Sequence, residues 1–206
     1  MQHADKSKPP LRICDIRHVG SAYWKLVAIA GVLTLARFSE AFLILKALAT
    51  GLPIAYVPLV MVVMNVFYAG AAYPAGILSD RVDRKNVLLI GVAFLIAAEV
   101  VLGYSASLWM LALGVGLWGL HMAFTQGLLA TMITDTIPPE LRGTAYGVFN
   151  LVCGIAMLVA SVIAGLLWDQ FGPSVTFFTG AAFTTVALLA LLMVHTDHSQ
   201  KTNNNA

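Results

Sequence analysis

Three residues set within otherwise apolar runs carry groups that can exchange charge. They are Arg37 and Glu40, in LARFSEAFLILKA, and His121, in WGLHMAFTQGLL. Arg37 and Glu40 are three apart, so on a helix they stand one turn and about 60° from each other and can pair. The chemistry open to them is binding of a charged solute or proton exchange. An imidazole at His121 titrates near neutral pH and can relay protons. Hydrogen-bonding groups recur around them at helical spacing. Gly114, Trp118, His121 and Thr125 form one stripe, and Tyr146, Asn150, Cys153 and Met157 a second. A charge inside an apolar run is costly unless paired or wet, so each is a functional candidate by default. Each also has a packing alternative: a mutually neutralised pair, a hydrogen-bonded core histidine, or interhelical glue at Asn150. Packing is the favoured reading for Asn150, and for Asn65 and Tyr68, which share a face. Gln126 is about 140° round the helix from His121 and is assigned to a helix contact.

The elements that must hold these residues are membrane spans. Charged residues make up 11% of the chain and hydrophobic ones 59%, with a mean hydropathy of +0.84. A soluble domain averages about 25% charged. The apolar residues form six runs of bilayer length, about 20 residues each: Trp24–Leu45, Pro53–Leu78, Val87–Tyr104, Leu108–Thr134, Thr144–Trp168 and Val175–His195. Most show no polar face at helical period. The expected fold is an all-α, multi-pass integral membrane protein, a six-helix bundle over residues 24–195. Gly51–Leu52–Pro53, Asp135–Pro139 and Gly172–Pro173 supply breakers. Only Tyr104–Ser107 separates the third and fourth runs. Residues 1–23 form a polar basic tail without the apolar run of a cleavable signal peptide, and the polar residues 196–206 read as disordered.

Charge placement sets orientation. With the N-terminus, the 79–86 and 135–143 loops and the C-terminus on one side, that side receives ten of the 12 Lys and Arg residues. Lys46 alone falls opposite, and Arg37 lies within the first run. The positive-inside rule then places both termini in the cytoplasm, in the inner membrane of a bacterial-type cell. The net charge of +2 follows from this topology and predicts no nucleic-acid partner. Cys14 and Cys153 fall in different settings and do not predict a disulfide. No Cys/His cluster has metal-site spacing, and no nucleophile–base set or phosphate-binding loop appears. Neither an enzyme nor a cofactor is expected.

The loop GILSDRVDRKNVLL gathers five charges between Asp80 and Lys85. Topology explains its basic residues but not Asp80 and Asp83. Gly76, Leu78, Ser79, Asp80, Arg81, Arg84 and Lys85 resemble the signature loop of the major facilitator superfamily, G-x-L-[AS]-D-R-x-G-R-K, which joins the second and third helices of a six-helix half. Asp83 stands where that pattern has its second Gly, a position suited to positive φ. DTIPPELRGTAYG, residues 135–147, resembles the stretch joining the fourth and fifth helices. On physical grounds Gly76 is expected to let the second span end close to a neighbour. Asp80 is expected to accept hydrogen bonds from the N-terminus of the fifth span, where Gly143 and Gly147 permit close approach. Arg81, Arg84 and Lys85 are expected to hold the turn at the lipid headgroups.

The resemblance covers nearly all of residues 20–195. It implies one half of a twelve-helix secondary transporter, the C-terminal half, with residues 1–23 similar to the linker between halves. It also implies that the first-span helix of Arg37 and Glu40 lines a central pathway. The third span would be peripheral, leaving Glu99 to snorkel or stay protonated, with no assigned role. The expected function is transport of a small solute by alternating access, with proton coupling through Arg37, Glu40 or His121. Substrate or coupling candidates are Arg37, Glu40, Trp118, His121, Thr125 and Asn150. The expected partners are the lipid bilayer, a small-molecule solute and a second six-helix half, as a homodimer or a separate chain. The competing expectation is a non-transporting membrane module or truncated fragment that associates with another transporter half.

Overall fold

A computed structural model of the chain describes residues 20–193. The expectations for residues 1–19 and for 194–206 lie outside the described residues. Seven α-helices run in order: α1 Ser21–Ala36, α2 Ala41–Ala49, α3 Pro58–Arg81, α4 Arg84–Tyr104, α5 Leu108–Asp135, α6 Arg142–Phe171 and α7 Pro173–Met193. Short 3-10 turns at Ile54–Tyr56 and Pro139–Leu141 lead into α3 and α6. Together α1 and α2 make one span, so six segments are long and apolar enough to cross a membrane. These span boundaries fall within a few residues of the six apolar runs. Backbone in a bilayer core must satisfy its own hydrogen bonds, which is why apolar runs of this length become helices.

The first span is not the continuous helix that its hydropathy predicts. It breaks at Arg37–Glu40, where Arg37 turns to extended backbone at φ −105°, ψ 123°. The groups freed by the break find partners. Arg37 N–H donates to Leu33 O at 3.2 Å, Ser39 N–H to the Ser161 hydroxyl of α6 at 3.3 Å, and Ala41 N–H to the Ser39 hydroxyl at 3.3 Å. Irregular backbone inside a membrane persists only where protein or a wet cavity satisfies it. Beyond the break, α2 ends in a Schellman closure: Leu52 N–H donates to Ala47 O and Gly51 N–H to Leu48 O, both at 3.0 Å, with Gly51 at φ +93°. Lys46, expected in an outer loop, lies within α2 and is buried.

The bundle centres on α5, which packs on α3 and α4, while α4 also packs on α7 and α6 on α1. Gly119 brings α5 against α3; a Cβ there would lie 2.3 Å from the Met64 carbonyl. Phe38, just past the end of α1, stacks among Phe42, Trp118 and Phe177 with ring centroids 5.2 to 5.6 Å apart. These rings sit at the middle of the largest buried apolar cluster. The two outer helices differ from α5: α3 and α6 bury only three and four residues, against eleven on α5. Their remaining surface faces outward. The short Tyr104–Ser107 link is a sharp boundary, with Ser107 capping α5 by accepting from Met110 N–H at 3.4 Å.

The charged loop departs from expectation at five points. Asp83 is the N-cap of α4 at φ −53°, and its carboxylate accepts from Lys85 N–H at 3.0 Å. Asp therefore suits this position by capping, with no positive φ required. Arg84 does not stand free at the headgroups: its Nη1 lies 2.5 Å from Asp135 Oδ2 at the end of α5. Lys85 Nζ reaches the Leu192 carbonyl in the last turn of α7 at 3.5 Å, where a cation favours the helix dipole. Asp80 is exposed in the last turn of α3 and makes no hydrogen bond to α6. Nothing lies within 4 Å of a Cβ at Gly76, Gly143 or Gly147. The expected docking of this loop on the fifth span is absent from the described residues: α3 packs chiefly on α5, and α6 on α1.

Candidate functional site

The break in the first span opens onto a cavity of about 390 Å³ between α1, α5 and α6. Arg37 enters from the break after α1, His121, Thr125 and Gln126 from α5, and Tyr146 and Asn150 from α6. Arg37 is the one formally charged side chain among the lining residues. Its guanidinium is mostly covered and lies 3.7 Å from Glu40 Oε1. The pair forms across the break instead of on a helix, because Arg37 has already left helical geometry.

His121 is 4% exposed, and its Nδ1–H donates to the Gly91 carbonyl of α4 at 2.8 Å. A carbonyl can only accept, so Nδ1 carries the hydrogen and the lone pair of a neutral ring is left at Nε2. Gly91 makes this contact possible: a Cβ there would sit 2.6 Å from Thr125 Cγ2 and 3.0 Å from Phe124 Cβ. With Arg37 permanently charged beside it, a neutral imidazole avoids placing two positive charges in one small cavity. Thr125 spends its hydroxyl on the His121 carbonyl at 2.8 Å. Tyr146 closes the cavity at the end nearest the link between α5 and α6, donating to Ala130 O at 2.6 Å with Thr134 Oγ1 2.8 Å away.

Of the six candidates read from sequence, Arg37, His121, Thr125 and Asn150 line this one cavity, and Glu40 stands behind Arg37. Trp118 does not reach it. Its ring is fully buried against Phe38 and its Nε1–H has no partner, so the α5 stripe divides into a packing half and a cavity half. Gln126, assigned by helical angle to another contact, is exposed and lines the same cavity. The cavity is wide enough to span both faces. Asn65 and Asn150 are both exposed; Asn65 donates to Met61 O in its own helix at 2.8 Å. Neither makes the interhelical hydrogen bond that a packing role implies. No group of three or more metal-ligating residues occurs among the described residues.

Residues 26–206 match the sequence model of the Major Facilitator Superfamily. The chain belongs to the major facilitator superfamily. An uncharacterised MFS-type transporter of Methanocaldococcus jannaschii is 35% identical over 180 residues, covering 82% of this chain and 44% of the relative. The tetracenomycin C resistance and export protein of Streptomyces glaucescens is 30% identical over 60% of this chain and 23% of its own length. The class B tetracycline resistance protein of Escherichia coli is 30% identical over 57% of this chain and 29% of its own. The chain thus spans less than half the length of the superfamily relatives that it matches. Within the superfamily reading, the six spans seen here make a multi-pass membrane bundle, as the apolar runs require.

Proposed function

We propose that this bundle is one half of a secondary transporter for a small solute, and that the cavity at the break of the first span is its share of the solute site. The observation that carries the reading is the convergence of Arg37, His121, Gln126 and Asn150 on a cavity beside a discontinuous membrane helix. Broken helices near the bilayer midplane are where such proteins place solutes and coupling ions. The guanidinium of Arg37 suits an anionic or acceptor-rich group on the solute, and Nε2 of His121 accepts a hydrogen bond or a proton. Proton coupling runs through His121 together with the Arg37–Glu40 pair.

The second wall comes from another six-helix bundle, a second copy or a separate chain. The sparse burial of α3 and α6, with Gln126 and Asn150 open at their edge, supports a partner on that side. The bundle lies in the cytoplasmic membrane with both termini in the cytoplasm, a placement supported by the shared end of Arg84, Asp135 and Arg142. The names of the drug-resistance relatives make tetracycline and tetracenomycin C the first solutes to try.

The test is solute uptake or efflux in liposomes carrying the chain alone and the chain with a candidate second bundle. Arg37→Lys and His121→Asn should abolish movement only in the second preparation. If the paired preparation is inactive toward every solute while the bundles still associate, the chain is a non-transporting module of another transporter half.

A further inference from the structure

Glu99, on α4, is 0% exposed, although the family resemblance places its helix at the periphery. It lies away from the cavity lining, in a setting of its own. Its Oε2 is 2.8 Å from the Thr184 hydroxyl of α7, and its Oε1 has no partner. The same Thr184 oxygen is 3.4 Å from the carbonyl of Ala36, the last residue of α1 before the break. The space is built to fit: a Cβ at Gly180 would meet Glu99 Oε1 at 2.6 Å and the Phe38 ring at 2.8 Å. Only a residue without a side chain leaves room for the carboxyl at that point.

Proton counting decides the state of this group. A hydroxyl has one hydrogen to give. If Glu99 is ionised, Thr184 must donate to the carboxylate. Ala36 O then loses its donor, and a buried charge keeps one oxygen wholly unpaired, which is very costly in a low-dielectric interior. If Glu99 is a carboxylic acid, Oε2–H donates to Thr184 and Thr184 donates to Ala36 O. Every hydrogen is then used, and the unpaired Oε1 is a neutral carbonyl. Among the described residues no cation, buried Lys46 of α2 included, forms an ion pair with Glu99. Helix α7 has no ionisable residue between Pro173 and Met193. On the other elements packed here, His121 is turned to Gly91, Arg37 to Glu40 and Asp135 to Arg84. Tyr23 and Lys25 lie at the far end of α1, and Arg84 and Lys85 at the far end of α4.

We propose that Glu99 is a proton-binding site separate from the cavity, whose carboxylic acid acts through Thr184 to set the end of α1 and so the position of Arg37. Release of the proton to water turns the Thr184 hydrogen from Ala36 O to the carboxylate. The carbonyl one residue before Arg37 is then freed, and the guanidinium shifts in the cavity. Glu99 is a positioning residue here, since it touches no solute. The consequence for transport rests on the cavity reading above, but both readouts below need no solute and so succeed or fail independently of it.

The test uses the full chain in lipid, with Cys14→Ser so that Cys153, which lines the cavity beside Arg37, is the sole thiol. Infrared spectra at neutral pH should show the C=O band of a buried protonated carboxyl, lost in Glu99→Gln. Glu99→Gln and Thr184→Ser keep a donor and a hydroxyl, so Cys153 should react with a maleimide at about the parent rate. Glu99→Leu and Thr184→Val break the chain of hydrogens and should change that rate by about fivefold, the population shift expected from loss of one net hydrogen bond. Thr184→Ala replaces Thr184→Val if the latter does not accumulate. Absence of the carboxyl band, or equal Cys153 reactivity in all the variants, overturns the proposal.

Discussion

The Nδ1–H of His121 on α5 donates to the carbonyl of Gly91 on α4 across 2.8 Å, tying the orientation of the imidazole to the closest approach of two helices. Glycine is required there, since a Cβ at 91 would lie 2.6 Å from Thr125 Cγ2. Gly91→Ala should therefore push α4 off α5 and destabilise the bundle by about 1–3 kcal/mol, the usual range for overpacking. Thr125→Ser removes the clashing methyl and should restore part of that loss. A thermal melt in detergent checks both; a Gly91→Ala protein as stable as the parent would show that the helices separate without cost.

The same bond separates two roles of His121. An Asn side chain places its amide near the Nδ1 position, so His121→Asn should keep the hydrogen bond to Gly91 and stay within about 1 kcal/mol of the parent, one net hydrogen bond. His121→Ala should cost more, about 2 kcal/mol or above, because it loses that hydrogen bond and leaves a cavity where the buried ring packed. Both lack an acceptor at Nε2. Loss of solute binding in both, with stability lost in only one, is the expected pattern in paired melting and binding experiments.

Asp83 and Asp80 should behave in opposite ways to a ranking based on the family motif alone. Asp83 caps α4, so Asp83→Ala should cost about 0.5–2 kcal/mol, while Asp83→Asn, also a good cap, should be nearly silent. Asp80 is exposed and has no hydrogen-bond partner among the described residues, so Asp80→Asn should leave the melting temperature of the isolated chain unchanged. A drop for Asp80→Asn in the isolated chain would point to a contact absent from this arrangement.

These contrasts show which links from sequence to structure were legible. The spans were, because an apolar run of about 20 residues has one satisfactory backbone in lipid. The break at Arg37–Glu40 was not, since Arg-Phe-Ser-Glu contains neither Gly nor Pro. Its freed amide is satisfied by Ser161, 122 residues away in sequence. Helical angle placed His121 and Thr125 together correctly, but it says nothing of cavity width and so left Gln126 outside. It also grouped Trp118 with them, though the aromatic cluster around Phe38 takes that ring into the core. The capping role of Asp83 was hidden by reading its position through the family's glycine.

Arg37 and Glu40 should be energetically coupled. Removing one leaves the other charged and poorly solvated beside the break, which is costlier than removing both. The double variant Arg37→Ala, Glu40→Ala should be more stable than the sum of the single losses predicts, by about 0.5–3 kcal/mol, the range for residues in contact. Their separation of 3.7 Å and the 30% exposure of Glu40 favour the lower part of that range. Strict additivity in detergent melts would mean that each has a different principal partner.

The chain as a monomer should move no solute, because on the proposed reading the second wall of the pathway comes from another bundle. Gln126 and Asn150 lie exposed at the open edge, and polar groups facing lipid draw helices together. Association should therefore bury the surface formed by α3 and α6. Thr125 is too buried to report on it, whereas Leu151 on α6 and Val66 on α3 are 62% and 64% exposed. With Cys14 and Cys153 replaced, single cysteines at these two positions should cross-link to a second bundle in membranes, and a cysteine at Phe183 on α7, also exposed, should not. Nanodiscs that hold one copy give the state for binding measurements, and liposomes at one copy per vesicle give it for transport. Solute accumulation in vesicles shown to hold a single copy would mean that six helices suffice, and the two-walled pathway would have to be abandoned.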